Sequence, residues 1–189
     1  MAYSTAQIQQ MLSSVAGRYG IDSAIAFAQI NQESGFNPNA RSSAGAQGLA
    51  QFIPGTWARF GSGSPFDPVQ ALEAWGKYMS FLLRMFNGRY DLALAGYNWG
   101  ENRATLAKAL AEGRPVTNYS IPAETRNYVT RILSAAGRSL PALAPAPAPA
   151  PGSPSGSTPG AAGAASIFAN VPPIYLYAGG AVLLVALVK

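Results

Sequence analysis

The tract LPALAPAPAPAPGSPSGSTPGAAGAAS, residues 140–166, sets the limit on what this chain can fold. It holds no charge, no aromatic ring and almost no branched side chain, so it has nothing with which to build a packed core. Its Pro-Ala half favours extended polyproline II and its Gly/Ser half a flexible coil. At ~3.1 Å per residue the first part reaches roughly 45 Å, and the looser remainder adds about 20 Å. The tract therefore reads as a linker, and it divides the chain into residues 1–139, 140–166 and 167–189. Twelve of the thirteen basic residues and all eight acids precede it, which leaves the first segment a net charge of +4.

Residues 167–188, IFANVPPIYLYAGGAVLLVALV, run 22 positions without a charge. That is close to the ~20 residues that cross a bilayer. A helix starting at Pro173 spans only ~24 Å, with Tyr175 and Tyr177 at an interface and Lys189 at the far surface. The expectation is a C-terminal transmembrane anchor with the lipid bilayer as a partner. The opening MAYSTAQIQQ has neither a basic stretch nor a long apolar one, so it reads as a helix start and not as a signal peptide.

The first segment is punctuated as helices, with almost no alternation of the strand type. Ser4 and Gln7 fit a capping box ahead of the stripe Ile8, Met11, Leu12 and Val15. Asp22 caps a second helix that stops at Gly35. Asp67 and Pro68 open a long third one carrying Val69, Leu72, Trp75, Met79, Leu82, Leu83 and Phe86. Asp91 reads as the cap of LALAGYNWG, and ENRATLAKALAEG follows. Pro122 begins a last helix with Thr125, Tyr128, Val129, Ile132 and Leu133 on one face. Residues 41–65, rich in Gly and Ser, read as loops with short helical turns. The expected fold is an all-α globular domain of about six helices.

Composition removes whole classes of chemistry. There is no cysteine and no histidine, which excludes thiolate sites, Ser-His-Asp and Cys-His arrangements, and nearly all zinc hydrolase centres. Proton transfer near neutral pH then falls to a carboxyl, Tyr or Lys group of shifted pKa. The mildly basic surface lacks the Arg/Lys clusters with interleaved aromatics of a phosphate-tracking groove, and no nucleic acid partner is expected.

Sorting the eight acids isolates one. Asp22, Asp67 and Asp91 stand at helix starts and read as caps, Glu73, Glu101 and Glu112 stand among polar helix positions and read as solvated, and Glu124 stands in a first turn that favours an anion. Glu33 alone sits where a helix ends, on the face of Ala26 and Ile30. Burial and the helix dipole should both raise its pKa. From the residues alone two readings stand: a general acid, or a carboxylate paired with an arginine.

The motifs QESGFNP, GAQGLAQFIPGTW, LALAGYNWG and IPAETRNYV occur in that order between residues 32 and 129. Taken singly they are weak. GLAQFIP would pass for an ordinary loop, Tyr97, Trp99 and Tyr128 for core, and Asn98 for a turn at Gly100. As an ordered set they resemble the soluble lytic transglycosylase family, whose domain is lysozyme-like and related to goose-type lysozymes. The resemblance implies Glu33 as the single catalytic acid/base, with Ser34 holding it or the sugar. It implies a cleft-edge loop of Gly48, Leu49 and Gln51, with Gln51 contacting glycan. Tyr97 and Asn98 would line the site, and Tyr128 would face it from the last helix. Ala50 and Phe52 depart from the family's usual Met and Ile or Leu. Trp57, Trp75 and Trp99 read as structural, with Trp57 and Trp99 also candidates for sugar stacking.

The implied activity is cleavage of the β-1,4 bond between N-acetylmuramic acid and N-acetylglucosamine in peptidoglycan, leaving a 1,6-anhydro end, with no metal and no cofactor. Two alternatives share these residues: a goose-type lysozyme using water, and a non-catalytic murein-binding or virion protein. The apparent tether and anchor suggest a phage virion with an internal membrane. There the enzyme would open the host wall for genome entry beside other virion membrane proteins. A bacterial inner membrane facing the periplasm is the other setting.

Overall fold

Seven α-helices and one 3₁₀ turn follow one another in the computed structural model, which describes residues 3–140. They are α1 (Thr5–Tyr19), α2 (Ser23–Ser34), α3 (Pro54–Phe60), α4 (Pro68–Met85), α5 (Tyr90–Trp99), α6 (Ala104–Ala111), the 3₁₀ turn Val116–Asn118, and α7 (Ala123–Ala135). Among the described residues strand-type pairing amounts to two isolated bridges, Arg41 with Gln47 and Gln47 with Phe52. The all-α expectation holds, and the helix that the sequence left inside its Gly/Ser-rich stretch is α3. Among the described residues no helix is long and apolar enough to cross a membrane. The anticipated linker and the apolar run 167–188 lie outside the described residues.

The caps set the helix boundaries. Ser4 and Gln7 form the reciprocal capping box of α1. Asp22 accepts from the Ile25 amide at the start of α2, and Asp67 from the Gln70 amide ahead of Pro68. Gly35 ends α2 in the left-handed region at φ 60°. The long α4 is the hub, packing on α1, α3 and α5, while α7 closes the domain against α2 and α5. Leu12, Ile25, Leu72, Trp75, Met79 and Leu92 are each fully buried between these layers. At the α1–α4 contact the Tyr19 ring and Val15 lie directly over Gly76: a Cβ there would fall 2.5 Å from the Tyr19 ring, so glycine makes room for it.

Two acids depart from their sequence reading. Asp91 is not the cap of α5, because the cap position is Arg89 and Asp91 lies within the first turn, 1% exposed. Its carboxylate takes both arms of the Arg89 guanidinium at 2.8 Å and the Val116 amide at 2.9 Å, tying the 3₁₀ turn to α5. Glu101 is not solvated either. It is 5% exposed, bonded by Arg59 from α3 at 2.7 Å and by the Tyr78 hydroxyl from α4 at 2.9 Å. In both cases burial is tolerable because a cation and a second donor replace water around the carboxylate.

Candidate active site

The last turn of α2 carries Glu33, and the chain then leaves the helix abruptly. Gly35 and Phe36 both take positive φ, 60° and 63°. For an aromatic residue that backbone is rarely occupied. It is held here because the Phe36 side chain is buried against Phe27, their ring centroids 6.0 Å apart. This sharp exit leaves Glu33 in the last turn of α2.

Around the carboxyl, α7 and α5 each contribute a tyrosine. Tyr128 Oη donates to Glu33 Oε1 at 2.5 Å. Glu33 keeps a partly accessible surface, yet protein atoms crowd its carboxyl. Desolvation pushes its pKa from 4.5 up to about 7, opposed by the Tyr128 hydrogen bond. The Tyr97 hydroxyl is held well above its ordinary value, by burial first and by the neighbouring Glu33 charge second. Tyr128 is raised by the same causes in the same order. Both phenols therefore stay protonated donors while Glu33 titrates. No basic side chain pairs with Glu33 among the described residues, so the arginine-paired alternative has no support.

The loop before α3 packs against this group. Tyr97 Oη donates to the Ala50 carbonyl at 2.7 Å. Phe52 is buried among Trp57, Tyr78 and Tyr97, with centroids 5.5 to 6.3 Å away. Gln51 sits at φ 49° and its Nε2 donates to the carbonyls of Gly48 and Ala40, so its amide nitrogen braces the loop. Gly48 is obligatory, since it has φ 74° and a Cβ there would fall 1.8 Å from the Pro65 carbonyl oxygen.

Of the residues singled out from sequence, Glu33, Tyr97 and Tyr128 converge, and Gln51 stands on the adjoining loop. Two others make their hydrogen bonds within the fold. Ser34 Oγ donates to the Ile30 carbonyl within α2. Asn98 Oδ1 accepts from Thr125 Oγ1 at 2.8 Å on the seam between α5 and α7. Among the described residues neither bonds to Glu33. Trp57 and Trp99 are half-buried, and Trp75 is fully buried. Sequence reading passed over Gln29, which is fully buried and hydrogen-bonded to both Tyr128 and Trp75. The available signal was a polar residue four positions before Glu33, on a face otherwise apolar.

Comparison with known proteins bears on the domain as a whole. The membrane-bound lytic murein transglycosylase D of Escherichia coli is 34% identical over 112 residues, covering 54% of this chain and 25% of the relative. The membrane-bound lytic murein transglycosylase F of Shewanella sediminis is 35% identical over 99 residues, covering 49% and 21%. The chain thus spans about a quarter of the length of the curated relatives it matches. Among solved structures, the 70 kDa soluble lytic transglycosylase of Escherichia coli aligns with TM-score 0.57 and 27% identity, over 67% of this chain and 23% of that one. An inactive mutant of the lytic transglycosylase Slt from Pseudomonas aeruginosa, with a glutamate changed to glutamine, aligns with TM-score 0.52 and 30% identity over 67% and 23%. The transglycosylase SLT domain matches residues 10–119, more than half of the chain and all of the site except Tyr128, and the chain belongs to that family.

Proposed function

We propose that residues 1–139 form a peptidoglycan lytic transglycosylase acting on the β-1,4 bond between N-acetylmuramic acid and N-acetylglucosamine. The observation that carries this is the state of Glu33: a desolvated carboxyl with a pKa near 7, held by Tyr128 at the end of α2. The other acids are otherwise engaged. Asp22 and Asp67 cap helices, Glu73, Asp91, Glu101 and Glu112 pair with basic side chains, and Glu124 is exposed at the start of α7.

A two-carboxylate glycosidase needs a partner acid across the scissile bond, and this distribution supplies none. The substrate's own 2-acetamido carbonyl then serves as nucleophile at the anomeric carbon while Glu33 protonates the departing oxygen. Glu33, now a carboxylate, takes the proton of the muramyl 6-hydroxyl, whose oxygen displaces the acetamido group and closes the 1,6-anhydro ring. Tyr97 and Asn98 position the sugar. With Oδ1 of Asn98 held by Thr125, Nδ2 is the donor it offers. Ser34 lies beside Glu33, and Gln51 borders the glycan from the loop.

Murein digested by the protein should yield anhydromuropeptides, lighter by one water than hydrolysis products. Spectra containing only reducing ends would assign the goose-type hydrolytic course instead. Glu33→Gln should abolish clearing while retaining binding, and a parent chain that clears nothing would favour a binding module.

For the setting, we read 140–166 as a tether and 167–189 as a bilayer anchor. We infer a virion membrane from which the domain opens the host wall during genome entry, and detection of the chain in purified virions tests this. The alternative setting is a bacterial inner membrane facing the periplasm; relatives named membrane-bound and relatives named soluble both match this chain.

A further inference from the structure

Three buried side chains behind Glu33 form a hydrogen-bond chain with only one possible direction. Trp75 Nε1 donates to Gln29 Oε1 at 3.2 Å, Gln29 Nε2 donates to Tyr128 Oη at 3.1 Å, and Tyr128 Oη donates to Glu33 Oε1. The indole N–H is a donor and nothing else. It therefore fixes the Gln29 amide, oxygen toward α4 and nitrogen toward α7. The Tyr128 oxygen is occupied as an acceptor, and its single hydrogen is left for Glu33. Trp75 and Gln29 are fully buried and Tyr128 is 7% exposed, so water does not compete for these bonds.

We propose that Gln29 and Trp75 are positioning residues for Glu33, which reserve Oε1 for Tyr128 and leave Oε2 as the oxygen that carries the transferable proton. Oε2 makes no hydrogen bond to any described residue. A proton on Oε1 would face the Tyr128 hydrogen head-on, whereas one on Oε2 does not. Once the proton has left, the same chain strengthens Tyr128 as a donor to the carboxylate.

The other titratable neighbours leave this chain in control. Tyr97 faces Glu33 from α5 and stays protonated. On α7, Glu124, Arg126 and Arg131 are exposed. On α1, Arg18 and Tyr19 are engaged with Glu73. The role of the proton rests on the transglycosylase reading of Glu33, but the hydrogen-bond chain can be tested apart from it.

The test uses the full chain in detergent, with ¹³C-carboxyl-labelled glutamate and the Glu33 signal identified by its loss in Glu33→Gln. Gln29→Met removes the relay but strands the Trp75 donor. The paired variant Gln29→Met/Trp75→Phe removes both partners together and leaves no buried group unpaired, which guards against loss of the fold. In both variants the Glu33 titration midpoint should rise by about half a pH unit or more. On murein, kcat should fall ~10-fold with KM within about twofold, since Tyr128 and Glu33 lose their fixed orientation. An unchanged midpoint in the paired variant, with only a lower melting temperature, would overturn the proposal whatever the activity. If the midpoint moves but the parent chain does not digest murein, the relay stands and the transglycosylase reading fails.

Discussion

The Tyr97 hydroxyl hydrogen-bonds the Ala50 carbonyl, 47 residues away in the chain, and so fastens α5 to the loop that precedes α3. Tyr97 also faces Glu33. One phenol thus couples the position of the proposed acid to the position of the proposed glycan-bordering loop.

Tyr97→Phe should separate the two without disturbing the core. The ring still packs against Phe52 and Tyr78, while the Ala50 carbonyl loses its donor, at a cost of about 1 kcal/mol. The looser loop should expose the amides of Gln47, Gly48, Gln51 and Phe52, which are hydrogen-bonded inside it. Hydrogen exchange at these amides should accelerate several-fold, and murein digestion should slow by about tenfold. Exchange identical to the parent would remove Tyr97 as the fastening.

Two glycines in that loop separate backbone strain from steric collision. Gly45 has φ 86° with open space around a would-be Cβ, whereas Gly48 has φ 74° and the Pro65 carbonyl oxygen 1.8 Å away. Gly45→Ala should cost only the left-handed penalty, about 1–2 kcal/mol. Gly48→Ala adds a collision with backbone that cannot swing aside, and should cost at least about 3 kcal/mol. Urea denaturation midpoints measure the difference, and equal losses at both sites would contradict the close approach.

The buried pair of Arg59 and Glu101 joins α3 to the start of the α5–α6 connection. Arg59→Ala leaves the Glu101 carboxylate with Tyr78 as its remaining partner. The expected loss is about 2–4 kcal/mol, short of the worst case because the arginine side chain is 30% exposed. Restoring the cation with Arg59→Lys should recover less than half, since an ammonium does not reproduce the stacking of the guanidinium over the Phe60 and Phe81 rings. Chemical denaturation of the three proteins decides it.

What could be read ahead of the structure followed from local rules. The capping box at Ser4, the caps Asp22 and Asp67, Pro68 and Gly35 all act within four residues, so their partners are visible in the string itself. Glu33 emerged because no such local role was open to it. Asp91 and Glu101 were misread because an acid near a helix start looks alike whether it caps, faces water or is buried. The difference lies in a distant partner, Arg59 being 42 residues from Glu101. Gln29 stayed hidden for the same reason, its partners lying 46 and 99 residues downstream. Ser34 and Asn98 carry the right residue types for a site, yet their observed bonds go to Ile30 and Thr125.

The raised pKa of Glu33 also predicts a conflict between stability and function. Between its ordinary 4.5 and the folded value of about 7, the folded chain holds a proton that the unfolded chain has released. Stability contributed by this group is therefore complete below pH 4.5 and is lost as pH rises through about 7, by roughly 3 kcal/mol in total. Glu33→Gln keeps an acceptor for Tyr128 but has no charge to desolvate. It should melt with the parent at pH 4 and clearly above it at pH 8, while failing to digest murein at either pH. The parent's kcat/KM should meanwhile fall above pH 7 as the acid loses its proton. Thermal melts of both proteins at the two pH values, beside a pH–rate profile, test this. Stabilisation of equal size at pH 4 and pH 8 would show that desolvation of the Glu33 carboxylate is not its source.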